Sequence, residues 1–193
     1  MKFKLIFPII ALVIMTANAQ DQNLPYYEIP DYPESYNACT VAARMIDGLG
    51  FRYYWATEGL TEKDLAYKPS ESGRSTDETL DHLYGLSNFI VTTAMKKPVG
   101  AREEITMTSA EKRAATLRNF KTAADILRNS TDLSQFKIVI SRGENTSEFP
   151  FWNNINGPIA DAIWHCGQVV VLRRASGNPF NSKVSVFTGT VRN

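Results

Sequence analysis

Apolar residues recur every three or four positions along four separate stretches of the chain, the spacing that lines one face of a helix. Val41, Ala42, Met45, Ile46, Leu49 and Tyr53 mark the first, predicted over about residues 35–58. Gly48 and Gly50 interrupt it. Each costs roughly 1 kcal/mol relative to Ala in a helix interior, which predicts a close neighbour, most simply another helix. Leu83, Leu86, Ile90 and Ala94 define the second helix, opened by the capping box Ser75-Thr-Asp-Glu78. Leu117, Phe120, Ala124 and Leu127 define the third, opened by Thr108-Ser-Ala-Glu111 and running to about Asn129 with Lys and Arg opposite. The fourth is predicted to begin at Pro158, which suits a first helical position, and to stop at Gly177 before Pro179. Arg173 and Arg174 complement the negative end of its dipole.

Polar connections separate these stripes. Residues 61–74 hold a short turn at Thr61-Glu-Lys-Asp64. Residues 96–107 are too long for a tight helical hairpin, and a dozen extended residues reach about 40 Å, enough to carry the chain back along a bundle. Phe136 to Ile140 alternates, 141–146 reads as a turn, and 147–152 can pair back, predicting a small β-hairpin between the third and fourth helices. A tail from Asn178 contains a strand-like run, Val184 to Phe187. The expected fold is all-α: a four-helix bundle with a long crossover between helices two and three.

Composition changes this picture mainly at the N-terminus. Residues 1–19 combine a basic start (Lys2, Lys4), an apolar run from Leu5 to Met15 and the small-x-small sequence Ala17-Asn-Ala19. That pattern predicts a cleaved signal peptide and a periplasmic or secreted protein, with no stable membrane insertion after cleavage. Residues 20–34 carry three prolines and read as an extended arm, whose Tyr26, Tyr27 and Tyr32 are expected to lie against the domain formed by residues 35–193. The chain has 21 basic and 20 acidic residues; without Lys2 and Lys4 the balance is 19 against 20. No basic cluster suggests a nucleic-acid surface. Two cysteines are too few for a disulfide scaffold.

The candidate chemistry gathers on helix four. At about 100° per residue, Ile159, Ile163, Cys166 and Val170 share one face, and Asp161, His165, Gln168 and Leu172 share the opposite one. Asp161 and His165 are four residues apart, so they stack and can grip one ion, or form only a salt bridge. His82, the one other histidine, lies on the shoulder of helix two, where it can face a cleft between helices. Asp81 points further outward and is expected to be solvated. Gln168 either lines a pocket or bonds a neighbouring backbone. Tyr54, with Tyr53 and Trp55, either walls the cleft or packs in the core.

These residues carry a family resemblance. His165-Cys-Gly-Gln168, followed by Val-Val-Val-Leu-Arg173, resembles the fourth helix of the DinB/YfiT-like proteins, where His-Arg-Gly-Gln is common with another His four residues earlier. Thr76-Asp-Glu-Thr-Leu-Asp-His82 is similar to the start of that family's second helix, and Leu60 to Pro69 to its linker. The resemblance spans roughly residues 35–176. It implies an up-down-down-up bundle holding a divalent metal through three histidines. Carried over, His82 and His165 are ligands and Asp161 stands where the family usually has His. Cys166 replaces the usual Arg. The two-His, one-carboxylate set suits Zn, Ni, Fe or Mn. The same topology puts Cys39 about 30 Å and Cys166 about 15 Å below one bundle end, so the two are expected to be unpaired.

Three functional expectations follow. A three-ligand metal with open positions suits metal-dependent hydrolysis. The family also includes thiol-dependent transferases, which export disfavours because the usual small thiols are cytosolic. A third reading is a non-catalytic ligand-binding or structural module. The expected partner is a small molecule of unspecified class, and a homodimer is allowed.

Overall fold

The first long helix, α1 (Ala38–Thr57), starts where Asn37 and Thr40 close a capping box, each side chain accepting the other's backbone N–H. This computed structural model describes residues 24–101, 104 and 106–192; the expected leader at 1–19 and the start of the arm lie outside them. Thr61 and Asp64 form a second capping box at a short helix, α2 (Glu62–Ala66). The two boxes read from the sequence open α3 (Thr76–Ala94) and α4 (Ser109–Arg128) as expected. A single helical turn, α5 (Trp152–Asn154), leads into a π-helical turn at Ile155–Ile159 and then α6 (Ala160–Ser176), which Gly177 ends at a left-handed φ of 101°. The described residues are mostly helical, and among them no helix is long and apolar enough to cross a membrane.

Two small antiparallel sheets complete the chain. Strands β1 (Ile138–Arg142) and β2 (Asn145–Phe149) form the expected hairpin, with Gly143 at φ 59° leading its two-residue turn. Val99, at the start of the crossover, pairs with the other edge of β1. Strands β3 (Val184–Ser185) and β4 (Thr190–Val191) form the second pair in the tail.

The long helices pack α4 and α6 each against both α1 and α3. Side-chain ties give their directions. Lys112, in the first turn of α4, pairs with Asp77 and Asp81 in the first turns of α3, so those helices run parallel. Arg113 at the start of α4 reaches Thr57 and Glu58 at the end of α1, and Arg128 at the end of α4 reaches Asp47, so α1 and α4 are antiparallel. Arg173 near the end of α6 donates to the carbonyls of Trp55 and Ala56, so α1 and α6 are parallel. Arg173 thereby satisfies two carbonyls of the last turn of α1, which have no intrahelical donor, and Arg113 donates to the Thr57 hydroxyl beside them. The enclosed core includes Ile46, Leu49, Phe51, Tyr53, Leu83, Ile90, Leu117, Phe120 and Leu127.

Several expectations are corrected. Helix four does not begin at Pro158: the helical run starts at Trp152, and Pro158 sits inside the π turn, whose wider winding accommodates a residue that cannot donate. The second hairpin strand accordingly ends at Phe149. Leu172, read on the polar face of helix four, is buried, as are Lys112 and Arg113 on the charged side of α4. Asp81 is not simply solvated, because Lys112 pairs with it from a neighbouring helix. Burial pulls the Lys112 pKa down, but the two aspartates more than reverse that and raise it.

Gly50 accommodates the arm and not another helix. A Cβ there would stand 2.4 Å from the Tyr26 ring, which is buried and donates its hydroxyl to Asp47 Oδ1 at 3.1 Å. Tyr27 packs its ring edge-on to Tyr54, and Arg44 lies over the exposed Tyr32 ring. At the other end of the arm's contacts, Ile29 N–H donates to Gly189 O at 2.9 Å and Val191 N–H to Glu28 Oε1 at 3.2 Å. The C-terminus of α6 is fastened by Asp64, whose carboxylate accepts from Ser176, Asn178 and Thr61. Burial works to raise the Asp64 pKa, but those hydrogen bonds outweigh it and hold the group well below the carboxylate range.

Candidate metal centre

Histidine 82 lies in the second turn of α3, and Asp161 and His165 lie in the first turns of α6. The packing of α3 against α6 brings together three side chains that come from stretches 79 residues apart. His82 Nε2 is 3.0 Å from Asp161 Oδ2, and His165 Nε2 is 3.3 Å from Asp161 Oδ1. The imidazole rings meet edge to face with centroids 4.5 Å apart. One ligand atom from each residue lies within 4.8 Å of the others, so the group could hold a metal ion. Tetrahedral ligands about 2.1 Å from zinc stand roughly 3.4 Å apart, close to the two contacts seen here. Side-chain exposures of 28%, 36% and 13% for His82, Asp161 and His165 leave the group open to solvent.

The donors also suit a cation electronically. His165 Nδ1 is 2.6 Å from Gln168 Oε1. With its Nδ1–H donated there, a neutral His165 turns the Nε2 lone pair toward a carboxylate oxygen. Two acceptors facing each other need a proton or a metal ion between them. A ring nitrogen fixed by an outer hydrogen bond is the usual arrangement behind a metal-binding histidine. Gln168 therefore bonds a side chain of the site, and not a neighbouring backbone.

Gln168 also faces a cleft of about 640 Å³ beside the histidines, lined on α6 by Trp164, His165, Gly167, Val171 and Leu172. Thr79 of α3 and Pro69, Gly73 and Arg74 of the preceding loop form the facing wall. Apart from His165 and Gln168, the sequence reading missed the residues of this cleft. The isolated Gly167 within α6 and Arg74 directly before the Ser75 cap were the signals available. Tyr54 is not brought to the cleft. It is buried between Trp55 and the Arg113 guanidinium, whose carbon lies 4.6 Å from the ring centroid. Cys166, next to His165 in sequence, faces the core, and burial pushes its thiol up to about 12. The sulfur thus lies in the core and outside the His82, Asp161 and His165 group.

Comparison of the chain with protein-family models, with curated proteins and with solved structures found no match.

Proposed function

We propose that this is an exported, divalent-metal-binding protein of the DinB-like type, an up-down-down-up four-helix bundle that acts as a metal-dependent hydrolase. The juxtaposition of His82, Asp161 and His165 carries the reading: both histidines of the chain meet one carboxylate across two helices. The parallel and antiparallel ties between α1, α3, α4 and α6 support the bundle topology. The leader-like residues 1–19 support export. A divalent ion held by three such ligands supplies Lewis acidity and, at an open position, an activated water. The chain's own residues would hold it: His82 from α3, Asp161 and His165 from α6, with Gln168 orienting the His165 ring. Asp161 adds a hard oxygen donor, which keeps Zn, Ni, Fe and Mn all eligible.

One observation favours a second reading. Asp161 contacts both histidines directly, as a polar clasp between helices would. Elemental analysis of protein purified without chelator or affinity-metal resin separates the two. The metal reading expects about one divalent ion per chain, a higher melting temperature on adding that ion, loss of both in His165→Ala, and retention in Asp161→His. A clasp expects no metal, no ion-dependent shift in melting, and destabilisation by Asp161→Ala alone. Because protons compete for imidazole nitrogens, bound metal should be released on acidification.

A further inference from the structure

We propose that the cleft beside His165 binds the free carboxylate of a small molecule with an aryl or alkyl body, and that an ester or amide bond elsewhere in that molecule is what the metal centre hydrolyses, water splitting it into an acid and an alcohol or amine. The inference rests on the reading of His82, Asp161 and His165 as the reactive end of the site. Three observations point to the ligand. On the outward face of α6, Trp164 and Val171 are 71% and 62% exposed, an apolar shelf with Gly167 between them. Arg74 stands on the facing loop, is exposed, and is the one formally charged residue of the lining. Gln168, its oxygen engaged by His165 Nδ1, keeps its amide hydrogens for an acceptor. The cleft thus offers apolar area with one positive charge and neutral donors from the Gln168 amide and the Trp164 indole, and among the described residues no acid lines it.

Gly167 strengthens the assignment. A glycine inside a helix is destabilising relative to alanine, and here no described residue packs closely enough to require it. A Cβ built at Gly167 meets no atom within 4 Å. The open surface lies between Trp164 and Val171, where the body of a ligand would rest against the helix backbone. The opposite wall is held in place: Gly73 packs so closely on Pro69 that a Cβ there would lie 2.9 Å from the proline ring, and Gly73 N–H donates to Ser70 O at 3.2 Å. Arg74 follows immediately, at the foot of α3, so its position is set by that turn. A cleft of this volume matches a molecule of drug-like size or smaller.

The test follows the tryptophan indole resonances of the full chain while 4-phenylbutyrate, its neutral amide or 4-phenylbutylamine is added, with and without metal. The expected result is a shift of the Trp164 resonance, with phenylbutyrate binding about tenfold more tightly than the amide, as one solvent-exposed charge-assisted pair would give. Arg74→Gln should abolish that preference without weakening the amide, and Gly167→Ala should weaken both ligands while raising the melting temperature. In Asp161→Ala protein, freed of metal, phenylbutyrate should still bind with the same dependence on Arg74. Loss of metal binding with the cleft intact would sink the metal reading alone; bound metal without any Trp164 shift would sink the cleft proposal alone. Equal binding of acid and amide overturns the proposal, as does tighter binding of the amine. A Trp164 resonance that moves on dilution overturns it too, because a second copy of the chain then covers the shelf.

Discussion

Gly50→Ala should destabilise this protein although alanine is the better helix former. The new methyl would stand 2.4 Å from two carbons of the Tyr26 ring and 2.8 Å from its Cγ, so the whole ring must leave and not merely its tip. Expelling a ring that is 4% exposed forfeits about 2 kcal/mol of burial. Losing its hydrogen bond to the Asp47 carboxylate forfeits a further ~1.5 kcal/mol. Helix propensity offsets about 1 kcal/mol. Release of Tyr26 from its left-handed backbone, φ 77°, offsets roughly 1 kcal/mol more. The net is about 1.5 kcal/mol, a drop in melting temperature of roughly 3–6 °C for a chain of this size. In a Tyr26→Ala background the steric term vanishes and the same substitution should stabilise by about 1 kcal/mol. Thermal or urea denaturation of the four proteins of this cycle measures the coupling directly. If Gly50→Ala stabilises both backgrounds equally, the arm does not occupy the seat described here.

Two further predictions concern buried groups. Because hydrogen bonding depresses the Asp64 pKa in the folded protein, its contribution is complete above the unfolded value of about 3.9 and is lost as pH falls below it. Asp64→Asn should therefore cost about 2 kcal/mol at neutral pH and flatten the acid limb of a stability-pH curve followed by urea denaturation; an unchanged limb would show that the group is not linked to folding. Cys39 and Cys166 are both buried and free, and burial raises both thiols, Cys166 to about 12. A thiol reagent should find neither in the native protein within minutes and both after denaturation without reductant; finding none after denaturation would mean a disulfide and a different helix register.

The sequence exposed what is local or periodic. The Ser75/Glu78 and Thr108/Glu111 boxes sit where their helices begin, and the stripe of Leu117, Phe120, Ala124 and Leu127 is fully buried. The stacking of Asp161 with His165 is legible because i, i+4 spacing is an angular fact, whereas the meeting of His82 with that pair follows only from the resemblance to the DinB/YfiT-like helices, since a shoulder position alone leaves its partner open. What escaped the reading depends on partners distant in sequence. Asp81 looks solvent-facing until Lys112 arrives from α4, and Arg173 looks like a cap of its own helix until the end of α1 is seen beside it. The start of α6 was misplaced because proline at a first helical position and proline within a π turn leave the same trace in sequence. Tyr54 was ambiguous for a related reason: aromatic periodicity marks burial without saying whether a core or a cleft does the burying.

The bonds between Ile29 and Gly189 and between Glu28 and Val191 place a constraint on the order of assembly. Glu28 finds its partner 163 residues further along the chain. Tyr26 can take its place on α1 early, but the following residues have no strand to join until β4 has formed. These two bonds therefore form only once residues 189–191 are in place, and a chain cut short before residue 189 would lack them while Tyr26 kept its seat on α1. The tail thus steadies this part of the arm, and a protease probing residues 28–29 would in effect report on the integrity of residues 189–191.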